Sequence, residues 1–134
     1  MKILVVDGTA DVADIVARML NLHGHHARAA FSFDEAMREL DAGHHDSCLV
    51  DLDIEDQNGA MLSLVRGQGG RAIAWTASED VWRGSARAAG FDAFLAKPAS
   101  FAMILAAIDG APCPSCLRPL DSSCHHGHCT WSQI

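Results

Sequence analysis

Short, wholly apolar runs alternate along this chain with segments whose apolar residues recur every three or four positions. Ile3-Leu4-Val5-Val6 is β-branched and unbroken by polar residues, the mark of a strand covered on both faces. It ends at Asp7-Gly8. From Ala10 to His23, the positions Val12, Ile15, Val16, Met19, Leu20 and Leu22 fall at helical spacing, and Gly24 punctuates the end. His26 to Ala30 reads as a second strand, carried by alternation more than by propensity. Phe33 to Leu40 is helical, with Ala36, Met37 and Leu40 on one face and Ser32 or Asp34 as the cap.

The same alternation continues downstream. Ser47-Cys48-Leu49-Val50 is a third apolar run ending at Asp51, and a helix from about Ala60 to Arg66 stops at Gly67, Gly69 and Gly70. Ala72-Ile73-Ala74-Trp75 is the fourth strand, ending at Thr76. A helix over Glu79 to Ala89 closes at Gly90. Ala93-Phe94-Leu95-Ala96 is the fifth strand, ending at Lys97-Pro98, and Phe101 to Ile108 is the last amphipathic helix. Five buried strands alternating with five helices predict an α/β fold: a doubly wound, five-stranded parallel sheet in a three-layer sandwich.

Length and composition agree with one such domain. The chain has 134 residues, 49% of them hydrophobic and 20% charged, which excludes disorder. No run approaches the ~18 apolar residues of a membrane span, and the N-terminus lacks the basic and apolar regions of a signal peptide. The expectation is a cytoplasmic protein with no membrane partner. Ten basic against seventeen acidic residues give a formal charge of −7, opposite to what phosphate neutralisation requires. Direct DNA binding is therefore set aside. Asp46, Asp51, Asp53, Glu55 and Asp56 cluster with no base among them, a costly arrangement unless a cation or a function compensates.

In sheets of this kind, ligands bind outside the carboxyl ends of the strands. There the sequence places Asp7, Asp51, Thr76 and Lys97 after strands one, three, four and five. Any one of them could be a simple strand cap. Together they make a coherent chemistry: carboxylates that bind Mg2+, a carboxylate nucleophile for a phosphoryl group, and an ammonium to offset charge on the transferring oxygens.

These residues resemble the receiver domain of two-component response regulators, the CheY-like, flavodoxin-like (βα)5 fold. The resemblance rests on Ile3-Leu4-Val5-Val6-Asp7, on Leu49-Val50-Asp51-Leu52 with Gly59 eight residues on, on Trp75-Thr76-Ala77, and on Gly90 through Pro98. It covers residues 1–110 and implies that Asp51 is the phosphoacceptor and Asp7 a metal-side carboxylate. Asp53 would offer its backbone carbonyl to Mg2+, Thr76 is the switch hydroxyl, Phe94 the switch aromatic and Lys97 the phosphoryl partner. The implied partners are a histidine kinase or histidine phosphotransfer protein and a downstream protein target. The implied activity is the domain's own phosphorylation and dephosphorylation, with no other enzymatic reaction. On phosphorylation the surface of the 79–89 helix, the fifth strand and the 101–108 helix would change, with Trp82 and Phe101 nearby. Flavin binding, another use of this fold, conflicts with the carboxylates in Asp7-Gly8-Thr9-Ala10-Asp11.

The chain departs from the family pattern in two places. The second acid after strand one is replaced by Gly8, and Glu55 stands where the loop after the phosphoacceptor usually carries proline. Fewer charged ligands weaken Mg2+ binding, and Asp53, Asp11 or Glu55 are the carboxylates available to replace the missing one. Two readings follow: a phosphorylatable receiver with altered metal affinity, or a pseudo-receiver that signals by binding alone.

Residues 111–134 form a separate tail. Four of the five cysteines lie in the last 22 residues: Cys113 and Cys116 as C-x2-C, then Cys124 and Cys129 after a seven-residue gap, with His126 and His128 as alternative ligands. Four soft ligands suit a tetrahedral Zn2+ knuckle that would order a segment too small for its own core. A disulfide pair or a thiol-rich tail without metal are the plainer alternatives, and a zinc- or redox-responsive regulator is the functional one. Cys48 reads as a buried thiol in strand three. His23, His25, His26, His44 and His45 fall near helix ends and turns, where solvated roles are expected.

Overall fold

A computed structural model of the protein describes residues 1–54, 59–76, 90–97, 99–114 and 117. Strands span Lys2–Val6 (β1), His26–Ala30 (β2), Ser47–Asp51 (β3), Arg71–Thr76 (β4) and Ala93–Ala96 (β5). Helices span Ala10–Leu22 (α1), Phe33–Ala42 (α2), Ala60–Gly67 (α3) and Phe101–Asp109 (α4). The helix expected over Glu79 to Ala89 lies outside the described residues. The strands form one sheet in the order β2-β1-β3-β4-β5, with β1–β2, β1–β3 and β4–β5 each paired in parallel. That is the doubly wound order with its switch point between β1 and β3. The expected fold is the observed one. The chain divides into two compact units, Met1–Ala72 and Ile73–Ile134, described here in turn.

In the first unit, β1 lies between β2 and β3, so Ile3, Leu4, Val5 and Val6 are all fully buried. β3 is buried along its whole length, Cys48 included. The alanine-rich β2 has little intrinsic strand propensity, and pairing decides its conformation. Its register sets Ala27 against Ile3 and Ala30 against Val6. Asn21, near the end of α1, donates from Nδ2 to the Ala27 carbonyl at 3.0 Å and accepts the Ala27 N–H at Oδ1 at 2.7 Å. One amide side chain thus satisfies both polar groups of an edge-strand residue that would otherwise invite another strand.

α1 corrects the expected helical face. Ala13, Val16, Ala17 and Leu20 are buried, while Ile15, Met19 and Leu22 are exposed, Leu22 to 85%. The small alanines allow the helix to approach β1 and β2 closely, and the larger apolar residues form a stripe on the outer side. In α2 the cap is Ser32, whose Oγ accepts the Glu35 N–H at 3.2 Å, and Glu35 in turn accepts the Phe31 N–H at 3.2 Å. This reciprocal pair is a variant of the capping box, displaced by one residue. Ala36 and Leu40 are buried.

α3 buries Met61, Leu62 and Val65 and packs against α2. Gln68 ties its end to both neighbours: Nε2 donates to the Leu40 carbonyl at 2.6 Å and Oε1 accepts the His45 N–H at 3.2 Å. Gly70 follows where the chain passes so close to β3 that a Cβ would lie 2.6 Å from the His45 carbonyl oxygen. Only glycine fits there.

His45 does not have the solvated role expected of it. It is 1% exposed, its Nδ1–H donates to the Gly43 carbonyl at 3.1 Å, and its Nε2 is buried without a partner among the described residues. Burial is the main cause that lowers its pKa below the ordinary histidine value, with Lys2 adding to it. The sequence shows a histidine beside a turn, and only the fold brings Gln68 and Gly70, which follow α3, alongside that turn.

In the second unit, β4 and β5 pair with Ile73 opposite Ala93 and Thr76 opposite Ala96. α4 packs on β5 and buries Met103, Ile104, Ala106, Ala107 and Ile108. Ser100 caps it, accepting the Met103 N–H at 3.2 Å, and Gly110 ends it in the left-handed region at φ 74°. Among the described residues, no helix is long and apolar enough to cross a membrane.

Candidate functional site

β1 and β3 carry their last apolar residues, Val6 and Val50, side by side, so each chain leaves the sheet with an aspartate at the same level. Asp7 and Asp51 are both buried, 1% and 4% exposed. Their carboxylates are fixed by backbone donors. Asp7 Oδ1 accepts the Thr9 N–H at 2.8 Å, which turns the chain into α1. Asp51 Oδ1 accepts the Asp53 N–H at 2.9 Å, and its Oδ2 faces the Gly8 N–H at 3.3 Å. The Asp53 side chain is exposed.

The acidic cluster read from the sequence is two sites. Asp46 lies at the amino end of β3, where it accepts the Lys2 N–H at 2.8 Å and pairs with His44 at 3.1 Å. The Lys2 N–H, followed by His44, holds its carboxyl below the usual range. Asp51 closes the other end of the strand, which at ~3.3 Å per residue is roughly 16 Å away. Like charges close in sequence are thus separated by a strand, and repulsion between them is small. Glu55 and Asp56 lie outside the described residues.

Gly8 has an ordinary backbone conformation, and among the described residues a Cβ added to it would meet only Ile54 Cγ1, at 3.9 Å. Neither space nor strain therefore demands glycine. The missing acid is a choice of side chain rather than a requirement of the turn.

In the second unit, Thr76 ends β4 fully buried, and its carbonyl accepts the Lys97 N–H at 2.8 Å. Phe94, opposite Ala74 in the register, is buried. The Lys97 ammonium sits over the indole of Trp75, 4.8 Å from the ring centroid. In the sequence, Trp75 is a strand residue and part of the receiver-like segment Trp75-Thr76-Ala77, with no role of its own. The β4–β5 register brings the two together: Trp75 is opposite Leu95, and Lys97 lies two residues farther along the same face.

Of the tail ligands, Cys113 is buried, and its carbonyl accepts the Leu117 N–H at 2.9 Å. Cys116, Cys124, Cys129, His126 and His128 lie outside the described residues. Among the described residues, no group of three or more His, Cys, Asp or Glu side chains could hold a metal ion.

The model of the response regulator receiver domain matches residues 3–109. No curated protein matches the chain at a significant level. Among solved structures, it is similar to a response regulator from Burkholderia pseudomallei with a phosphorylated aspartic acid, a calcium ion and citrate. The identity is 29% and the TM-score 0.71, over 80% of this chain but 65% of the other, so this chain spans just under two thirds of that protein. A response regulator receiver protein from Burkholderia phymatum is 31% identical, with a TM-score of 0.65 over 84% of this chain and 98% of its own. A CheY-like receiver domain protein from Methanospirillum hungatei shares the fold at 24% identity and a TM-score of 0.68, over 81% and 90%. With the doubly wound sheet, the aspartates at its switch point and a family match that spans the body of the sequence, the chain belongs to the response regulator receiver domain family.

Proposed function

We propose that this receiver accepts a phosphoryl group on Asp51 from a histidine kinase or histidine phosphotransfer protein, and that it works as a stand-alone signalling protein through contact with a downstream protein. One observation carries the assignment of Asp51: its buried carboxylate ends the fully buried strand β3 beside Asp7, with the Gly8 and Asp53 N–H groups directed at its two oxygens. Donors placed in this way hold one carboxylate orientation before any donor arrives. The phosphorylated aspartic acid of the Burkholderia pseudomallei relative supports the same chemistry here.

An Asp51 oxygen attacks phosphorus of a phosphohistidine. The O–P bond forms as the P–N bond breaks, and the departing imidazole nitrogen keeps the electron pair and takes up a proton. By the receiver pattern, Lys97 would offset charge on the transferring oxygens, and Thr76 would hydrogen-bond the new phosphoryl group. Phe94 is the side chain that would follow Thr76. Two buried carboxylates at adjacent strand ends are a hard oxygen donor set that suits Mg2+, held by Asp7, Asp51 and the Asp53 carbonyl, and the ion would neutralise phosphoryl oxygens. The calcium ion in the Burkholderia pseudomallei relative is consistent with a divalent site. The exposed stripe Ile15, Met19 and Leu22 on α1 is the kind of apolar surface that recognises a protein partner. For the tail, Cys113, Cys116, Cys124 and Cys129 remain the proposed Zn2+ ligands.

Gly8 favours a second reading, a pseudo-receiver that binds its partner without phosphorylation. Incubation with acetyl phosphate, with and without Mg2+, separates the two by intact mass. A Mg2+-dependent gain of about 80 Da (one HPO3) that is lost in Asp51→Asn supports the receiver. No adduct from acetyl phosphate or from a phosphorylated histidine kinase supports the pseudo-receiver. Native mass spectrometry on the same sample reports Zn2+ in the tail.

A further inference from the structure

We propose that Trp75 is a positioning residue for Lys97: its indole face holds the ammonium that serves the phosphoryl group. This inference rests on the receiver reading above and gives Trp75 a role within it.

The Lys97 ammonium lies 4.8 Å from the centre of the Trp75 ring, inside the range of a cation–π contact. The two ends of this lysine are held differently. At the base, the Lys97 N–H donates to the Thr76 carbonyl at 2.8 Å, so the backbone is fixed by the residue after the tryptophan. Beyond it run four flexible methylenes, so a contact at the far end narrows the positions that the compact cation samples. The ring restrains the far end. It can do so because Trp75 is itself packed into the core, 3% exposed and opposite Leu95.

The indole also carries a cost that points to its use. Its Nε1–H is buried and has no hydrogen-bond partner among the described residues. A phenylalanine or leucine would fill the strand position without an orphaned donor. What the indole offers over either is the most electron-rich face among the side chains, and a cation rests on that face. An ammonium placed in advance of the reaction need not be gathered in as charge develops on the transferring oxygens, and this lowers the barrier.

The chain has only two lysines, Lys2 and Lys97, so lysine-labelled protein gives two resolvable side-chain signals with Lys2 as the internal reference. In the full chain, the Lys97 CεH2 protons are expected upfield of those of Lys2 because of the indole ring current. The displacement should persist in part in Trp75→Phe and vanish in Trp75→Leu. With acetyl phosphate and Mg2+, the rate constant for Asp51 phosphorylation should fall by roughly 3- to 10-fold in Trp75→Leu, the size of a cation–π contact. It should fall less in Trp75→Phe, with the half-saturating donor and Mg2+ concentrations unchanged in both.

A Lys97 signal at the position of Lys2 in the wild type would overturn the proposal, as would a leucine variant that phosphorylates at the wild-type rate or faster. If Trp75→Leu does not fold, Trp75→Phe decides alone: shift and rate must fall together. If the wild type takes no phosphoryl group, the receiver reading fails and the catalytic role fails with it. The ring-current shift still reports whether the indole holds the lysine, so the two failures are distinguishable.

Discussion

The backbone N–H of Gly8 faces Oδ2 of Asp51 across the β1–β3 pair at 3.3 Å, so the residue that replaces the family's second acid presents a hydrogen-bond donor to the carboxylate. Since a Cβ at Gly8 meets nothing closer than 3.9 Å among the described residues, they leave room for the substitution Gly8→Asp. It should tighten Mg2+ binding by about tenfold or more, because a third carboxylate is added to a hard-cation site. Without Mg2+ it should destabilise the fold by roughly 1 kcal/mol through like-charge repulsion. Calorimetric titration with Mg2+ and urea unfolding with and without the ion check both signs.

His45 makes stability depend on pH. Burial, aided by Lys2 on β1 and His44 beside it, lowers its pKa, while Glu39 on α2 and the Gly43 carbonyl oppose the shift. The unfolded chain therefore takes up the proton first. Stability is full above the ordinary histidine value of about 6.5 and falls as pH drops below it toward the folded-state value. Urea midpoints measured from pH 8 to pH 5 should fall on acidification, and His45→Phe should flatten that slope.

Gly70→Ala should cost about 2 kcal/mol or more, because its Cβ would lie 2.6 Å from a backbone oxygen, that of His45, which cannot rotate away. Gln68→Ala should cost about 1–3 kcal/mol by leaving the Leu40 carbonyl and the His45 N–H without their shared partner. Thermal unfolding monitored by circular dichroism measures each.

The outer stripe of α1 should matter for partners and not for folding. Ile15 and Leu22 are exposed to 56% and 85%, so Ile15→Gln with Leu22→Gln should change stability by no more than about 0.5 kcal/mol per site. Phosphorylation by acetyl phosphate should be unchanged, while transfer from a phosphohistidine protein should slow. Parallel rates with the two donors test this.

Local chemistry made much of the molecule legible. Unbroken apolar runs such as Ile3–Val6 and Leu49–Val50 determine parallel strands, because only strands covered on both faces bury every side chain. Ser32 marks the start of its helix through its own hydroxyl, and the residues that end the strands are named by where the runs stop. Periodicity in α1 identified the helix and misjudged its face, because a large apolar residue and a buried one are not the same thing. Ala13 and Ala17 face inward where the helix approaches β1 and β2, a matter of distance between elements that no spacing encodes.

By itself, then, the sequence determined the order of elements, the strand ends that carry Asp7, Asp51, Thr76 and Lys97, and the family to which they belong. Tertiary structure alone decided that Asp46 and Asp51 lie at opposite ends of one strand, that His45 is buried under Gln68 and Gly70, and that the Lys97 ammonium rests on Trp75. The physical reason is common to all three. Pattern and propensity act along the chain within a few residues, whereas burial, like-charge separation and ring contacts depend on which distant segment arrives alongside.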